Sequence, residues 1–143
     1  MSSGTGHLDV SVDIAAPAQA VWDYVTSWER QSEWIPLTSV RVEGEVVIAR
    51  TAIGPLGFDD TMTVSTWQPP HLCETLHTGA VVKGLGIFKV TPRGDGCTFT
   101  WGERAEVPGG PLAPYLWPLA KPFLNLAFAY SLRRLRARVE AGA

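Results

Sequence analysis

The chain has 143 residues, a length that fits one domain able to bury a core of its own without metal or disulfide staples. Hydrophobic residues make up 45% and charged residues 18%, under the usual ~25% charged, which excludes a disordered or supercharged chain. Twelve basic residues against 14 acidic ones give a net charge of −2, so no global positive field draws the chain to nucleic acid.

Residues 1–6 are small and polar and read as a flexible tail, with no apolar segment of the kind a signal peptide needs. Over residues 8–14, Leu8, Val10, Val12 and Ile14 alternate with Asp9, Ser11 and Asp13, a period of two that predicts a strand with one buried face. Pro17 opens a helix reaching to about Ser27, where Val21, Trp22 and Val25 follow helical spacing and Trp22 is assigned to core packing. A second helical turn over residues 28–34 ends before Pro36.

Six strands follow, over residues 38–43, 46–53, 58–67, 72–78, 85–91 and 97–107. Turn chemistry separates them: Gly44, Gly54-Pro55-Leu56-Gly57, Gln68-Pro69-Pro70 and Gly94-Asp95-Gly96. Within residues 58–67, Phe58, Met62 and Val64 share one face and Thr61, Thr63 and Ser65 the other. Pro108-Gly109-Gly110-Pro111 closes the last strand.

Residues 112–140 read as one long helix with a stripe at three- and four-residue steps: Trp117, Lys121, Leu124, Phe128, Leu132, Leu135, Val139. Arg133, Arg134, Arg136 and Arg138 suit the negative end of its dipole and its solvent side. Pro114, Pro118 and Pro122 predict an irregular or kinked first third, and with Lys121 they argue against membrane insertion of residues 112–132. Seven antiparallel strands cannot bury one face against two short helices alone, so the long helix must cover the rest. The expected fold is α+β, two layers, one domain over residues 1–143. A curved sheet gripping one helix leaves space between the two.

Cys73 and Cys97 are too few for a disulfide framework and are not spaced as metal ligands; they read as reduced thiols of a cytoplasmic protein. No Ser-His-Asp order, His/Asp/Glu cluster or Gly-rich phosphate loop can be assembled, so neither a metal nor a cofactor is expected. Asp59-Asp60 reads as a solvated strand edge, and His77, in phase with Cys73 and Thr75, as a strand histidine with its bonds satisfied. Glu103 shares a strand face with Cys97, Phe99 and Trp101. It is either a pocket carboxylate able to act as general acid/base, or a strand-end residue paired with Arg104 or Lys89. Arg50 is either the partner of a ligand carboxylate or enolate, or a solvated rim charge. Phe88, Phe99 and Trp101 on the strands and Trp117, Leu124 and Phe128 on the helix either fill the core or line a pocket.

The run Ile14-Ala15-Ala16-Pro17-Ala18-Gln19-Ala20-Val21-Trp22-Asp23-Tyr24-Val25, followed by Ser32-Glu33-Trp34-Ile35-Pro36, resembles the opening of the START-like helix-grip (SRPBCC) superfamily. That group includes lipid-transfer START domains, the birch pollen allergen and the polyketide cyclase/aromatases. Trp67-Gln68-Pro69-Pro70, Gly94-Asp95-Gly96-Cys97-Thr98 and the Pro-Gly-Gly break before the last helix are similar to it as well, so the resemblance spans nearly the whole chain. It implies a seven-stranded curved antiparallel sheet wrapped around a long C-terminal helix, with two short helices between strands 1 and 2 and a hydrophobic cavity inside. Trp34 matches the family's tryptophan near the cavity mouth. Aromatase relatives carry an arginine and tyrosines in the pocket; here residues 62–67 offer only Thr and Ser as polar groups before the Trp67 stop, and Tyr24, Tyr115 and Tyr130 sit on helices.

The expected function is binding or transport of a hydrophobic small molecule, lipid or polyketide-like, against Trp34, Arg50, Met62, Val64, Phe88, Phe99, Trp101, Trp117, Leu124 and Phe128. The alternative is a cofactor-free enzyme of the cyclase/aromatase type with Glu103 as proton shuttle. A third reading is an interaction module that docks a partner or a second copy through residues 123–130, the chain being a monomer or homodimer.

Overall fold

The computed structural model describes residues 5–107 and 110–143. In chain order these form β1 (Thr5–Ile14), α1 (Ala18–Val25), a 3-10 turn (Trp28–Glu33), β2 (Thr38–Glu43), β3 (Val46–Ile53) and β4 (Leu56–Gln68). β5 (Leu72–Thr78), β6 (Lys83–Arg93), β7 (Gly96–Glu106), a second 3-10 turn (Gly110–Leu112) and α2 (Ala113–Glu140) complete the chain. The seven strands make one sheet in the order β1-β7-β6-β5-β4-β3-β2, every neighbouring pair antiparallel. β1 therefore pairs with the last strand, α2 lies along β1, and the two short helical segments cross between the edges. This is the helix-grip architecture.

Local chemistry accounts for most boundaries. Pro17 caps α1 with φ −60 and needs no N–H of its own there. Thr26 ends the helix by returning its hydroxyl to the Trp22 carbonyl at 2.7 Å. The turn between β3 and β4 is only Gly54-Pro55, shorter than the expected four residues, because Gly54 takes φ +57 and lets Ile53 pair directly with Leu56. β1 starts at Thr5, so Thr5 and Gly6 are paired to β7 rather than part of a tail; residues 1–4 of that expected tail lie outside the described residues.

Of the two expectations for the first third of the long helix, irregular or kinked, the structure replaces the irregular one with continuous helix. α2 runs unbroken for 28 residues with Pro118 and Pro122 inside it, while Pro114 occupies its first turn, where no N–H is needed. The two inner prolines leave the Pro114 and Pro118 carbonyls without a helical donor, and both of these residues are exposed, so water can supply the missing bonds. Pro108 and Gly109 of the expected closing segment lie outside the described residues.

The core fills one end of the space between sheet and helices. Leu132, Leu135 and Val139 of α2 meet Val21, Trp22 and Val25 of α1 and Trp34, Phe99 and Trp101, with Cys73 and Cys97 buried as free thiols among them. A second, smaller cluster joins Val40, Val47, Ala49 and Met62 across β2, β3 and β4. Leu135 is fully buried in the larger cluster. Leu135→Ala is expected to lower stability by about 3 kcal/mol, the usual transfer-plus-cavity cost of such a truncation, read from urea unfolding.

Candidate functional site

Toward its N-terminal end α2 no longer closes onto the sheet, and a cavity of about 500 Å³ opens between them. Its floor follows strand parity. Ala49 and Thr51 of β3, Phe58, Asp60 and Met62 of β4, Cys73, Thr75 and His77 of β5, Gly86 and Phe88 of β6, and Trp101, Glu103 and Ala105 of β7 all face it. Trp117, Leu124, Phe128 and Ser131 of α2 form the roof, and Trp28, Gln31, Ile35 and Leu37 come from the α1–β2 connection. Phe128 lies flat on Trp101, with ring centroids 3.9 Å apart and planes 15° from parallel, and marks where the solid core gives way to the hollow.

One row of the floor is polar. His77 is held from both sides: Nδ1 donates to Asp60 Oδ1 at 2.7 Å and Nε2 to Glu103 Oε2 at 3.0 Å. Asp60 stands on β4, His77 on β5 and Glu103 on β7, so the second bond passes over β6. It can do so because Gly86 lies beneath it. A Cβ there would stand 2.8 Å from Thr75 Oγ1, 3.1 Å from His77 Nε2 and 3.3 Å from Glu103 Oε2. Burial opposes charge on the ring, but the bonds and charges of Asp60 and Glu103 outweigh it and lift the His77 pKa to about 10. The group is thus an imidazolium with both protons committed. It is neither a free base at neutral pH nor a ready acid. Cys73, also in the lining, has its thiol pushed up to about 12 by burial and by Glu74, which removes it as a nucleophile. Among the described residues no group of three or more His, Cys, Asp or Glu side chains is disposed to hold a metal ion, and both His77 nitrogens are already occupied.

Of the residues expected to bind a ligand, Met62, Phe88, Trp101, Trp117, Leu124 and Phe128 line the cavity, as does Glu103, whose partner is His77 rather than Arg104 or Lys89. Four do not. Trp34 is fully buried in the core, its ring centroid 5.6–6.3 Å from those of Phe88, Phe99 and Trp101, because the 3-10 turn tucks it under the sheet instead of at the mouth. Phe99 has the inward parity, but it lies one inward position closer to the hairpin than Trp101, where helices fill the space. Val64 keeps regular pairing with cavity-lining Thr75, yet it stays 38% exposed and outside the lining, and the pairing of β4 shifts only beyond it, at Ser65. Arg50 sits on the convex face, since its neighbours Ala49 and Thr51 take the inward parity, and it meets Asp59 at 3.2 Å in solvent.

The structure corrects two of the sequence readings, while His77 is, as expected, a strand histidine with its bonds satisfied. Asp60 was expected at a solvated edge and faces inward, and a His/Asp/Glu cluster forms where none was expected. Parity carried the signal: Asp60 is in phase with Phe58 and Met62, His77 with Thr75, Glu103 with Trp101. The missing information was register: His77 pairs with Met62, two residues from Asp60, and Glu103 is level with Gly86 and Thr75, so the three lie on a diagonal across the sheet.

A grip fold enclosing an apolar cavity with one polar row defines a class of small-molecule cavity proteins. The family model described as polyketide cyclase / dehydrase and lipid transport matches residues 5–140, and the chain belongs to that family. Solved structures share the fold at low identity. TTHA0849 from Thermus thermophilus is similar with a TM-score of 0.79 at 16% identity, over 96% of this chain and 99% of that one. A START superfamily protein from Mycobacterium smegmatis gives 0.78 at 17%, over 98% and 100%. The di-domain ARO/CYC StfQ from the steffimycin biosynthetic pathway gives 0.75 at 14%, over 97% of this chain and 52% of that longer one. No curated protein matches the chain in sequence.

A histidine whose pKa rises from 6.5 to about 10 on folding contributes stability that is full below pH 6.5 and is lost as pH climbs through 10. Stability is therefore expected to fall by about 1.4 kcal/mol per pH unit between pH 7 and 9. His77→Gln should flatten that slope, as read from urea unfolding at pH 7, 8 and 9.

Proposed function

We propose that the protein binds a hydrophobic small molecule, lipid or polyketide-like, in the cavity between sheet and α2, and carries it rather than transforming it. The observation that carries this reading is the cavity itself: about 500 Å³ enclosed by aromatic and aliphatic side chains, a size within the usual range for ligand sites. Apolar guests gain roughly 25 cal/mol for each Å² removed from water, and a flat or extended guest can touch Trp101, Phe128, Phe88 and Trp117 together. Against a cyclase/aromatase-type reaction stands the state of the polar row. A catalytic shuttle works best with a pKa near the operating pH, whereas His77 keeps both protons in bonds to Asp60 and Glu103. Both cysteines are free and buried, which supports a reducing, cytoplasmic setting. In the described residues no helix is long and apolar enough to cross a membrane.

Native mass spectrometry of the purified protein should show a retained apolar compound. An environment-sensitive fluorescent hydrophobe should bind with micromolar affinity and lose about tenfold on Leu124→Trp, which fills the cavity from the roof at a partly exposed site. Unchanged affinity in a folded Leu124→Trp protein would place the ligand elsewhere and end the cavity reading.

A further inference from the structure

We infer that the preferred guest is an apolar amine, bound as its ammonium with the cation at the row formed by Asp60 and Glu103; this rests on the cavity being a ligand site. The ionisable residues lining it are Asp60, His77, Glu103 and Glu106, along with the Cys73 thiol, and no Lys or Arg lines it among the described residues. Two carboxylates facing one imidazolium leave a negative charge over. Each carboxylate gives one oxygen to His77, while Asp60 Oδ2 and Glu103 Oε1 bond no protein group among the described residues. A neutral hydrophobe would strip water from those oxygens and return nothing. A carboxylate guest would add repulsion in a low-dielectric chamber. An ammonium supplies both the donors and the balancing charge, while its apolar body meets the aromatic lining of the same cavity. Arg50, the expected reader of an anionic end, points away from the cavity.

The test uses three probes with one apolar body: n-decylamine, n-decanol and decanoate, titrated at pH 7 by quenching of tryptophan fluorescence. The amine should bind at least about tenfold tighter than the alcohol, with decanoate weakest. Glu103→Gln and Asp60→Asn should each bring the amine-to-alcohol ratio close to one. Decanoate binding as tightly as the amine, or an unchanged ratio in the folded variants, overturns the inference and leaves the cavity reading standing. If none of the three binds, both fall.

A different observation carries a second proposal. Leu112, Leu116, Leu119, Phe123, Leu126 and Tyr130 are 41–75% exposed and follow each other in alternating steps of four and three. Such a strict seven-residue repeat is the seam by which one helix packs on another, narrower than the face a helix turns to a core. At 100° per residue the seam lies roughly opposite Trp117, Phe128 and Leu135, which face the sheet. Taking about 200 Å² for each fully exposed large side chain, it offers roughly 700 Å² per copy, near the ~800 Å² per partner of a standard interface. We propose that α2 pairs with α2 of a second copy, antiparallel about a two-fold axis. That order sets Leu119 against the partner's Phe123 and Leu116 against the partner's Leu126, and it keeps the Arg133 and Arg134 pairs apart, where a parallel order would crowd them.

Light scattering on the full chain at about 50 µM should give the mass of a dimer. Phe123→Glu and Leu119→Glu should each yield a monomer with an unchanged circular dichroism spectrum, and the double variant Leu116→Cys/Leu126→Cys should cross-link two copies. A monomeric wild-type chain, a dimer that survives Phe123→Glu, or binding to lipid vesicles without self-association overturns this proposal.

Discussion

The contact of Phe128 on Trp101 divides the molecule. On its C-terminal side, Leu132, Leu135 and Val139 press into Trp34, Phe99 and the buried face of α1, and the space between helix and sheet is solid. On its N-terminal side the same helix continues over the same sheet, yet the floor beneath it sets Gly86, Thr75, Ala105 and a row of hydrogen-bonded charges among its large apolar chains. A hollow forms there because side-chain volume runs out, while the sheet keeps its ladder and the helix its bonds. Trp34 belongs to this division. Edge-on to Phe99 and Trp101, it lies on the solid side.

The polar row is an expensive feature of such a chamber. Taking charges from water costs several kcal/mol per ion, and a buried pair is often no more stabilising than packed hydrophobic residues of the same volume. Deleting one member is harmful mainly because it strands the others. Asp60, His77 and Glu103 are thus poorly explained as a device for folding, and their place on the cavity floor fits a role toward whatever occupies it. Gly86 supports the same view. It is the absence of a side chain there, on the strand between His77 and Glu103, that lets the bond form across β6.

How much was legible in the sequence follows from the range of the physics involved. Every strand and helix was visible from period, cap and turn residues, since these are local. The parity of Met62, Phe88 and Trp101 was also local, and it turned them inward as expected. What failed depended on non-local facts. Trp34 and Phe99 have inward parity or family position, but whether an inward residue meets core or cavity depends on where helices pack. Val64 has inward parity and regular pairing with Thr75, yet lies at a level of β4 that stays exposed, which parity cannot tell. In the sequence Asp60 stands beside Asp59 and His77 stands alone, and neither shows a partner. Only the pairing of β4 with β5, β5 with β6 and β6 with β7 brings Asp60 and Glu103 to the two sides of His77.

Composition bears a second reading in this light. A cavity lowers the need for apolar side chains in the interior, yet the chain is 45% hydrophobic. Part of that content goes to the lining, which must be apolar for the hollow to favour a greasy guest over water. A further part is on the outside of α2, where Leu119, Phe123 and Leu126 serve neither the core nor the roof. Roofing alone asks for one stripe, and Trp117, Leu124 and Phe128 already supply it. A helix that is apolar on two opposite faces is therefore specified by two surfaces, and the sheet accounts for only one of them.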